Sequence, residues 1–396
     1  MKKSLWIIIV IILVSILSFA NAKNLNEKQN IHAPAEYSTI QEAIDASVDG
    51  DTIIVAPGTY QENINFKGKN IILRSEDPTD FGVRDNTIID GGGAGSVVTF
   101  SGSELTSCVL SGFTLTNGYS EYGGGVNGHS ALSTIENNII TSNSVVYHGG
   151  GIFNCSGMIR NNSIINNNAE SGGGLYGCGG LFGKDGAIQE NIISGNHAKL
   201  GGGGLSSCRN PVRNNLITDN SANYGAGLLD CDRAIHNNII TENHASHEGG
   251  ALYLCDGSVV NNTIYHNQAD KTGGGLSKCR GLIINSIIWA NEAGDADNQI
   301  SESSEPQWCC VEDWAGGGRN NIASDPQFDD PSARILHLSP GSPCIDAGNP
   351  YYLFGDYITD IDGETRLASV SVDIGADEYD SSPDSDGDLL SNDHET

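Results

Sequence analysis

Between Gly123 and Asn291 the apolar residues fall in short runs of Ile, Leu and Val, each closed by Gly, Asn or Ser, and the pattern returns every 23 to 30 residues. No stretch of it carries the 3.6-residue period of a helix, so helical repeats are excluded and strands remain. Two blocks recur in each unit. One is Gly-rich and closes on Cys: Gly149-Gly-Gly-Ile-Phe-Asn-Cys155, then Gly172 to Cys178, Gly202 to Cys208, Gly225 to Cys231, Gly249 to Cys255 and Gly273 to Cys279. The other is Asn-Asn, a β-branched pair and a further Asn, as in Asn137-Asn-Ile-Ile-Thr-Ser-Asn143. Counted from Asn117 through Asn143, Asn168, Asn196, Asn220, Asn243, Asn267 and Asn291, that last Asn recurs in steps of 26, 25, 28, 24, 23, 24 and 24.

A period in this range built from strands predicts an all-β solenoid, a right-handed parallel β-helix. A coil of ~24 residues holds about three short strands, and successive coils stack in parallel at ~4.8 Å. A buried Asn repeated at one coil position donates to one neighbouring coil and accepts from the other, so its polar atoms are satisfied along the axis. The Gly runs fit corners that require positive φ or close backbone approach. The aligned Cys residues act as small apolar side chains stacked rung on rung; disulfides between rungs are the alternative, which the ~3.8 Å separation wanted by bridged Cβ atoms opposes at a ~4.8 Å rise. Cys108, Cys309, Cys310 and Cys344 stand outside that column, and spacing gives them no partners.

Either side of the repeats the pattern changes. Ser38-Thr-Ile-Gln41 reads as a capping box opening a short amphipathic helix with Ile40, Ala43 and Ile44 on one face, ended by Asp49-Gly50. Strands follow at Thr52 to Val55, Tyr60 to Ile64 and Ile71 to Leu73. Such a helix covers the open edge of the first coil. From Pro326 to Tyr379 the repeat is lost, and the irregular, Asp-rich sequence suits a distal cap. Ahead of all this, Met1-Lys-Lys-Ser, an apolar run from Leu5 to Phe19 and Ala20-Asn21-Ala22 have the order of a secretory signal, with cleavage expected after Ala22. The expected organisation is therefore a signal peptide at 1–22, a β-helix with its N-terminal cap at 31–325, a C-terminal cap at 326–380 and an acidic tail at 381–396, in a monomer that keeps no membrane span after processing.

Charge narrows the partners. With 49 acidic and 20 basic residues the formal charge is −29, which disfavours nucleic acid and anionic lipid. An acidic glycan is repelled as well unless a basic ridge or bridging calcium reverses the local field.

Tyr37-Ser-Thr-Ile-Gln-Glu-Ala-Ile44, Asp51-Thr-Ile-Ile-Val55 and Gly58-Thr-Tyr-Gln-Glu62 resemble the opening segment of bacterial pectin-lyase-like β-helix proteins, including pectin methylesterases. The Gly and Asn blocks resemble right-handed β-helix repeat proteins of bacterial surfaces and, more loosely, polymorphic outer-membrane adhesins. Leu338-Ser-Pro-Gly-Ser-Pro-Cys-Ile-Asp-Ala-Gly348, Asp360-Ile-Asp-Gly-Glu-Thr-Arg366 and Asp373-Ile-Gly-Ala-Asp-Glu378 are similar to the module that ends many such secreted proteins. The resemblance implies fold more than activity. The Gln-Ala-Val-Ala-Leu, Asp-Phe-Ile-Phe-Gly and Leu-Gly-Arg-Pro-Trp blocks of methylesterases are absent. Against the Arg-x-Pro-x-x-Arg of pectate lyases the chain offers Arg209-Asn-Pro-Val-Arg213, one residue short, and it lacks their Trp-Ile-Asp-His block.

Three surface features are candidate sites. Turns after the Cys column carry Lys184, Arg209, Arg213, Asp232, Asp256 and Arg280. There an Arg or Lys beside Asp-bound calcium could abstract the proton α to a uronate carboxylate; the alternative is a solvated edge of mixed charge. Just before the Gly runs stand Tyr122, Tyr147, His148, Tyr224 and His247, interrupted by Leu200 and Lys271. Aromatic rings at one coil position suit the apolar C–H faces of sugars, the alternative being turn residues that point to water. In the tail, Asp384, Asp386, Asp388, Asp393 and Glu395 have a spacing like that of a thrombospondin type 3 calcium repeat; an acidic disordered segment is the alternative. The leading expectation is a protein secreted or held on the outer surface of a bacterial cell, binding polysaccharide or mediating adhesion without catalysis. A polysaccharide lyase and a structural envelope component are the alternatives.

Overall fold

The computed structural model describes residues 28–179, 186–331, 335–352, 359–367 and 371–379. The signal segment therefore lies outside the described residues. Each middle coil supplies four strands rather than three, as in Thr134–Glu136, Ile139–Thr141, Ser144–His148 and Ile152–Phe153. The extra strand arises because the Asn-Asn pair is itself a corner dividing two strands. Strands of successive coils pair in parallel and build four sheets of 11, 11, 8 and 10 strands. The winding is that of a right-handed parallel β-helix, the hand that twisted strands favour in parallel crossovers.

Three of the four corners of a coil, the first, second and fourth, are each made by a residue pair. The first residue adopts left-handed φ and turns the chain, and the second points inward. At the first corner the turning residue is usually Asn, as at Asn137 (φ 56°) and Asn214 (φ 51°), because a short polar side chain tolerates this conformation. The inward partners form a ladder through Asn138, Asn162, Asn191, Asn215, Asn238 and Asn262, the amides of the first five each donating to the carboxamide oxygen on the next coil. The second corner carries the ladder that the sequence anticipated, with two corrections. Its members are Asn143, Asn167, Asn196, Asn220, Asn243, Asn267 and Asn291. Asn168 is exposed and its neighbour Asn167 occupies the column. Asn117 is also exposed, and Gly118 stands at the head, donating its N–H to Asn143 at 2.8 Å. The slip arises in the run Asn166-Asn167-Asn168, where Asn166 turns the chain at φ 55° and Asn167 keeps the 24-residue step from Asn143; the insertion between Cys178 and Cys208 then lengthens the next step, to Asn196, to 29.

Inside these ladders run Ile, Leu and Val columns such as Ile140, Ile164, Ile193, Ile217, Ile240 and Ile264, all fully buried. The Cys column of Cys155, Cys178, Cys208, Cys231, Cys255 and Cys279 is buried and unbridged. Each of these thiols donates to the carbonyl two residues before it, as Cys208 does to Ser206 at 3.5 Å.

The N-terminal helix spans Ile40–Ala46 and buries Ile40, Ala43 and Ile44 as expected, but its cap is Thr39, which accepts from the Glu42 N–H; Ser38 donates instead to the Glu42 carboxylate. The Glu62 carboxylate accepts from the N–H groups of Ile40 and Gln41, and Lys69 donates to three carbonyls at the helix end. The opening motif therefore anchors this cap. The C-terminal segment is not confined to the distal end. It folds back along the flank, where Asn214 and Asn237 donate to the carbonyls of Asp360 and Thr359, and Asn285 donates to that of Asn349.

Candidate functional site

The third corner is the glycine run. Its first glycine has positive φ, 71° at Gly149 and 65° at Gly172. The same glycine makes room for the residue four positions on, because a Cβ at Gly172 would lie 2.7 Å from the Cβ of Tyr176. Outward side chains from the end of the third sheet and from the fourth sheet thus meet over a strip of bare backbone. Tyr122 lies 5.4 Å from Tyr147, 5.8 Å from His148 and 5.0 Å from Phe153, centroid to centroid. His148 stacks on Tyr176 at 4.3 Å and 10°, and Phe153 lies 5.9 Å from Tyr176 at 15°. Farther along the same corner, Tyr224 lies 4.9 Å from His247 and 5.1 Å from Tyr253. Ser171, Gly201 and Ser206 separate the two clusters with small side chains.

This geometry joins all five aromatic candidates, Tyr122, Tyr147 and His148 in one cluster and Tyr224 with His247 in the other. Sequence reasoning missed Phe153, Tyr176 and Tyr253. A signal for them was present, since each stands four residues after the first glycine of its run, in Gly-Gly-Gly-Ile-Phe, Gly-Gly-Gly-Leu-Tyr and Gly-Gly-Ala-Leu-Tyr. Tyr122 and Tyr147 are 36% and 41% exposed, so the rings are accessible rather than core. Partial burial pushes the His148 imidazole below its ordinary range, which favours the neutral ring. Beside the second cluster, the Lys278 ammonium lies 5.3 Å from the Tyr253 ring centroid and 2.8 Å from the Glu248 carboxylate. The hydrogen bond to Glu248 pushes Lys278 up to about 12, so the groove carries a fixed cation beside an aromatic face.

The charged ridge is arranged differently. Arg209 donates to the Asp230 carbonyl at 2.6 Å and pairs with the carboxylates of Asp230 at 3.3 Å and Asp232 at 3.2 Å. Asp232 accepts the backbone N–H of Asp256, and Asp256 accepts that of Arg280, so both acids brace successive coils. Arg213 belongs to a strand of the first sheet and donates to Gln189. The structure therefore separates Arg213 from Arg209 instead of bringing both to one cleft. Partial burial alone would lower the Arg209 guanidinium, but Asp230 and Asp232 outweigh it and hold Arg209 above its ordinary range, the opposite of what a proton-abstracting base requires. Lys184 lies outside the described residues, as do Asp384, Asp386, Asp388, Asp393 and Glu395 with their expected calcium.

In the C-terminal segment His337, Asp362 and Asp377 place one ligand atom each within 4.8 Å of one another. Burial pushes Asp362 up to about 9, Glu378 up to about 8 and Asp377 up to about 6. Backbone N–H groups of Leu338 and Asp373 already donate to Asp377 and Glu378. These carboxyls therefore organise the local chain.

A crystal structure of the pectate lyase Pel9A superposes with a TM-score of 0.54 at 15% identity, over 90% of this chain and 98% of that one. The fold is the pectate-lyase-like β-helix. At that identity the likeness concerns architecture alone. A cell surface glycoprotein of Methanothermus fervidus is 29% identical over 194 residues, which are 39% of this chain and 32% of that protein. The chain thus spans about a third of the curated relative it matches. No protein-family description matches the chain.

Proposed function

We propose that the protein is an extracellular or cell-surface β-helix that binds polysaccharide through the aromatic corner, without catalysis. The observation that carries this reading is the set of rings from Tyr122, Tyr147, His148, Phe153 and Tyr176, stacked or tilted at 4.3 to 5.9 Å on successive coils. The coil rise of ~4.8 Å is close to the length of a pyranose ring, so a glycan lying along the axis meets a fresh aromatic face at each step. The likeness to a cell surface glycoprotein supports the location. Coil-bracing contacts of Arg209, Asp232 and Asp256 favour binding over uronate elimination. The high negative charge favours neutral glycans over uronates.

Affinity electrophoresis through gels cast with neutral and uronic polysaccharides tests the proposal. The native protein should be retarded by at least one neutral polymer, and Phe153→Ala with Tyr176→Ala should lose that retardation at least tenfold while keeping its circular dichroism. Migration unaffected by every polymer, or retardation indifferent to both substitutions, would overturn it. Release of ultraviolet-absorbing unsaturated uronates would replace it with a lyase.

A further inference from the structure

Cys309 and Cys310 are adjacent on the last coil but face opposite ways. Cys309 points inward: its sulfur accepts the backbone N–H of Ser286 at 3.4 Å and so terminates the first Asn ladder, where Ser286 has replaced Asn. Cys310 points outward from the strand Cys310–Val311, into a buried cluster with Ile287, Leu338, Cys344 and Ile374. Three of those neighbours, Leu338, Cys344 and Ile374, come from the C-terminal segment. Cys310 and Cys344 are both fully buried in this one small cluster, where the Cys310 thiol donates to the Ser324 carbonyl at 3.2 Å. This pair therefore spans the seam between the solenoid and the segment folded along its flank.

We propose that Cys310 and Cys344 are joined in the mature protein by a disulfide that fastens the C-terminal segment to the last coil. The pair differs from the Cys column in setting. Column thiols sit one above another at the turn that follows each fourth-sheet strand, where the coil rise of ~4.8 Å holds Cβ atoms farther apart than the ~3.8 Å a bridge wants. Cys344 lies on irregular chain with no such fixed spacing, its carbonyl accepting from the Ile374 N–H at 3.0 Å.

The oxidant belongs to the disulfide class, such as glutathione disulfide. One Cys thiolate attacks a glutathione sulfur and releases one glutathione; the second Cys thiolate attacks the mixed disulfide and releases the other. Two electrons and two protons pass from the protein thiols to the oxidant. The neighbouring Cys344 thiol, and then burial, hold Cys310 far above the ordinary thiol range, so exchange takes place before the segment docks, and docking then shields the bond.

The bond in cells rests on the extracellular reading, but its chemistry is testable apart from that reading. Reduced, unfolded full-length chain is refolded with mixed oxidised and reduced glutathione, alkylated, and digested without reductant. The expected result is one cross-linked peptide containing Cys310 and Cys344, with the six column thiols alkylated as free cysteines. Cys344→Ser should remove that peptide, add one alkylated thiol at Cys310, and raise the rate at which limited proteolysis releases the C-terminal segment at least tenfold relative to the oxidised native chain. Ten alkylated thiols after oxidative refolding, or bridges confined to the column, would overturn the proposal. Formation of the bond in vitro together with a lack of polysaccharide binding would count against the functional reading alone.

Discussion

Asn167 and Asn168 are neighbours of identical chemistry, and only one of them belongs to the ladder. The Asn167 amide donates to the Ile140 carbonyl at 2.8 Å and to the Asn196 side-chain oxygen at 3.1 Å, while its own oxygen accepts from the backbone and side chain of Asn143, both at 3.1 Å. Substituting Ala removes four buried hydrogen bonds at a net ~1 kcal/mol each and leaves a small cavity, so the expected loss is about 4 kcal/mol. Asn168 is exposed, and its amide is 3.5 Å from the Ser144 hydroxyl, at the limit for a hydrogen bond. Asn168→Ala should therefore cost less than about 0.5 kcal/mol. A solenoid need not unfold in one step. For that reason the comparison is best made by native-state hydrogen exchange on amides of the coils on either side, read together with the denaturant midpoint. Equal losses from the two substitutions, or a larger one from Asn168→Ala, would refute the placement of the ladder.

Two further outcomes follow from the same coordinates. His236 is 1% exposed beneath the C-terminal segment, and burial, then Arg213 and Arg366, lower it to about 3. The fold holds the neutral ring while the unfolded chain takes a proton below its ordinary ~6.5, so this contribution is intact above that pH and lost as pH falls. The stability gap between His236→Gln and the native protein should shift in favour of the variant by about 2 kcal/mol between pH 7 and pH 5 in paired melts, and a pH-independent gap would contradict the assignment. Leu254 occupies a turning position at φ 52° where an equivalent coil has Asn154 at φ 51°; Leu254→Asn should raise stability by about 1 kcal/mol, and an unchanged or lower melting temperature would count against strain there.

The architecture was legible in sequence because it is written in residues with few substitutes. Only glycine both accepts positive φ at Gly172 and leaves room for the Cβ of Tyr176, and only a carboxamide bridges two coils as Asn143 and Asn167 do. The Asn-Asn pair was harder to interpret, because its two members look alike while one turns the chain at Asn137 and the other fills the core at Asn138. Counting steps also placed Asn168 where Asn167 belongs, since three consecutive Asn residues, Asn166 to Asn168, look alike in sequence. The return of the C-terminal segment along the flank was not legible. It depends on contacts such as those of Asn214 with Asp360 and Arg366 with Asn237, separated by 146 and 129 residues, and no local pattern encodes such distances.

The aromatic corner occupies the part of the coil where regularity is weakest. First- and second-sheet pairings keep strict register, as Ile139 with Ser163 and Ile140 with Ile164 do. Every third-sheet pairing from Tyr119 to Glu248 contains a register shift, as between Ser144 and His148 or between Ala222 and Tyr224. A bulge re-aims the side chain that follows it, so successive coils present Tyr122, His148, Ser171, Gly201 and Tyr224 at the same corner without disturbing the buried Ala column of Ala198, Ala222 and Ala245 beneath them. The stacked interior thereby stays fixed while this corner varies in ring, hydroxyl or empty space from coil to coil. On the proposed glycan-binding reading, a surface of that kind would discriminate among glycans by the order of its side chains, and the gap at Ser171, Gly201 and Ser206 would set where along the axis a branched or bulky sugar unit fits.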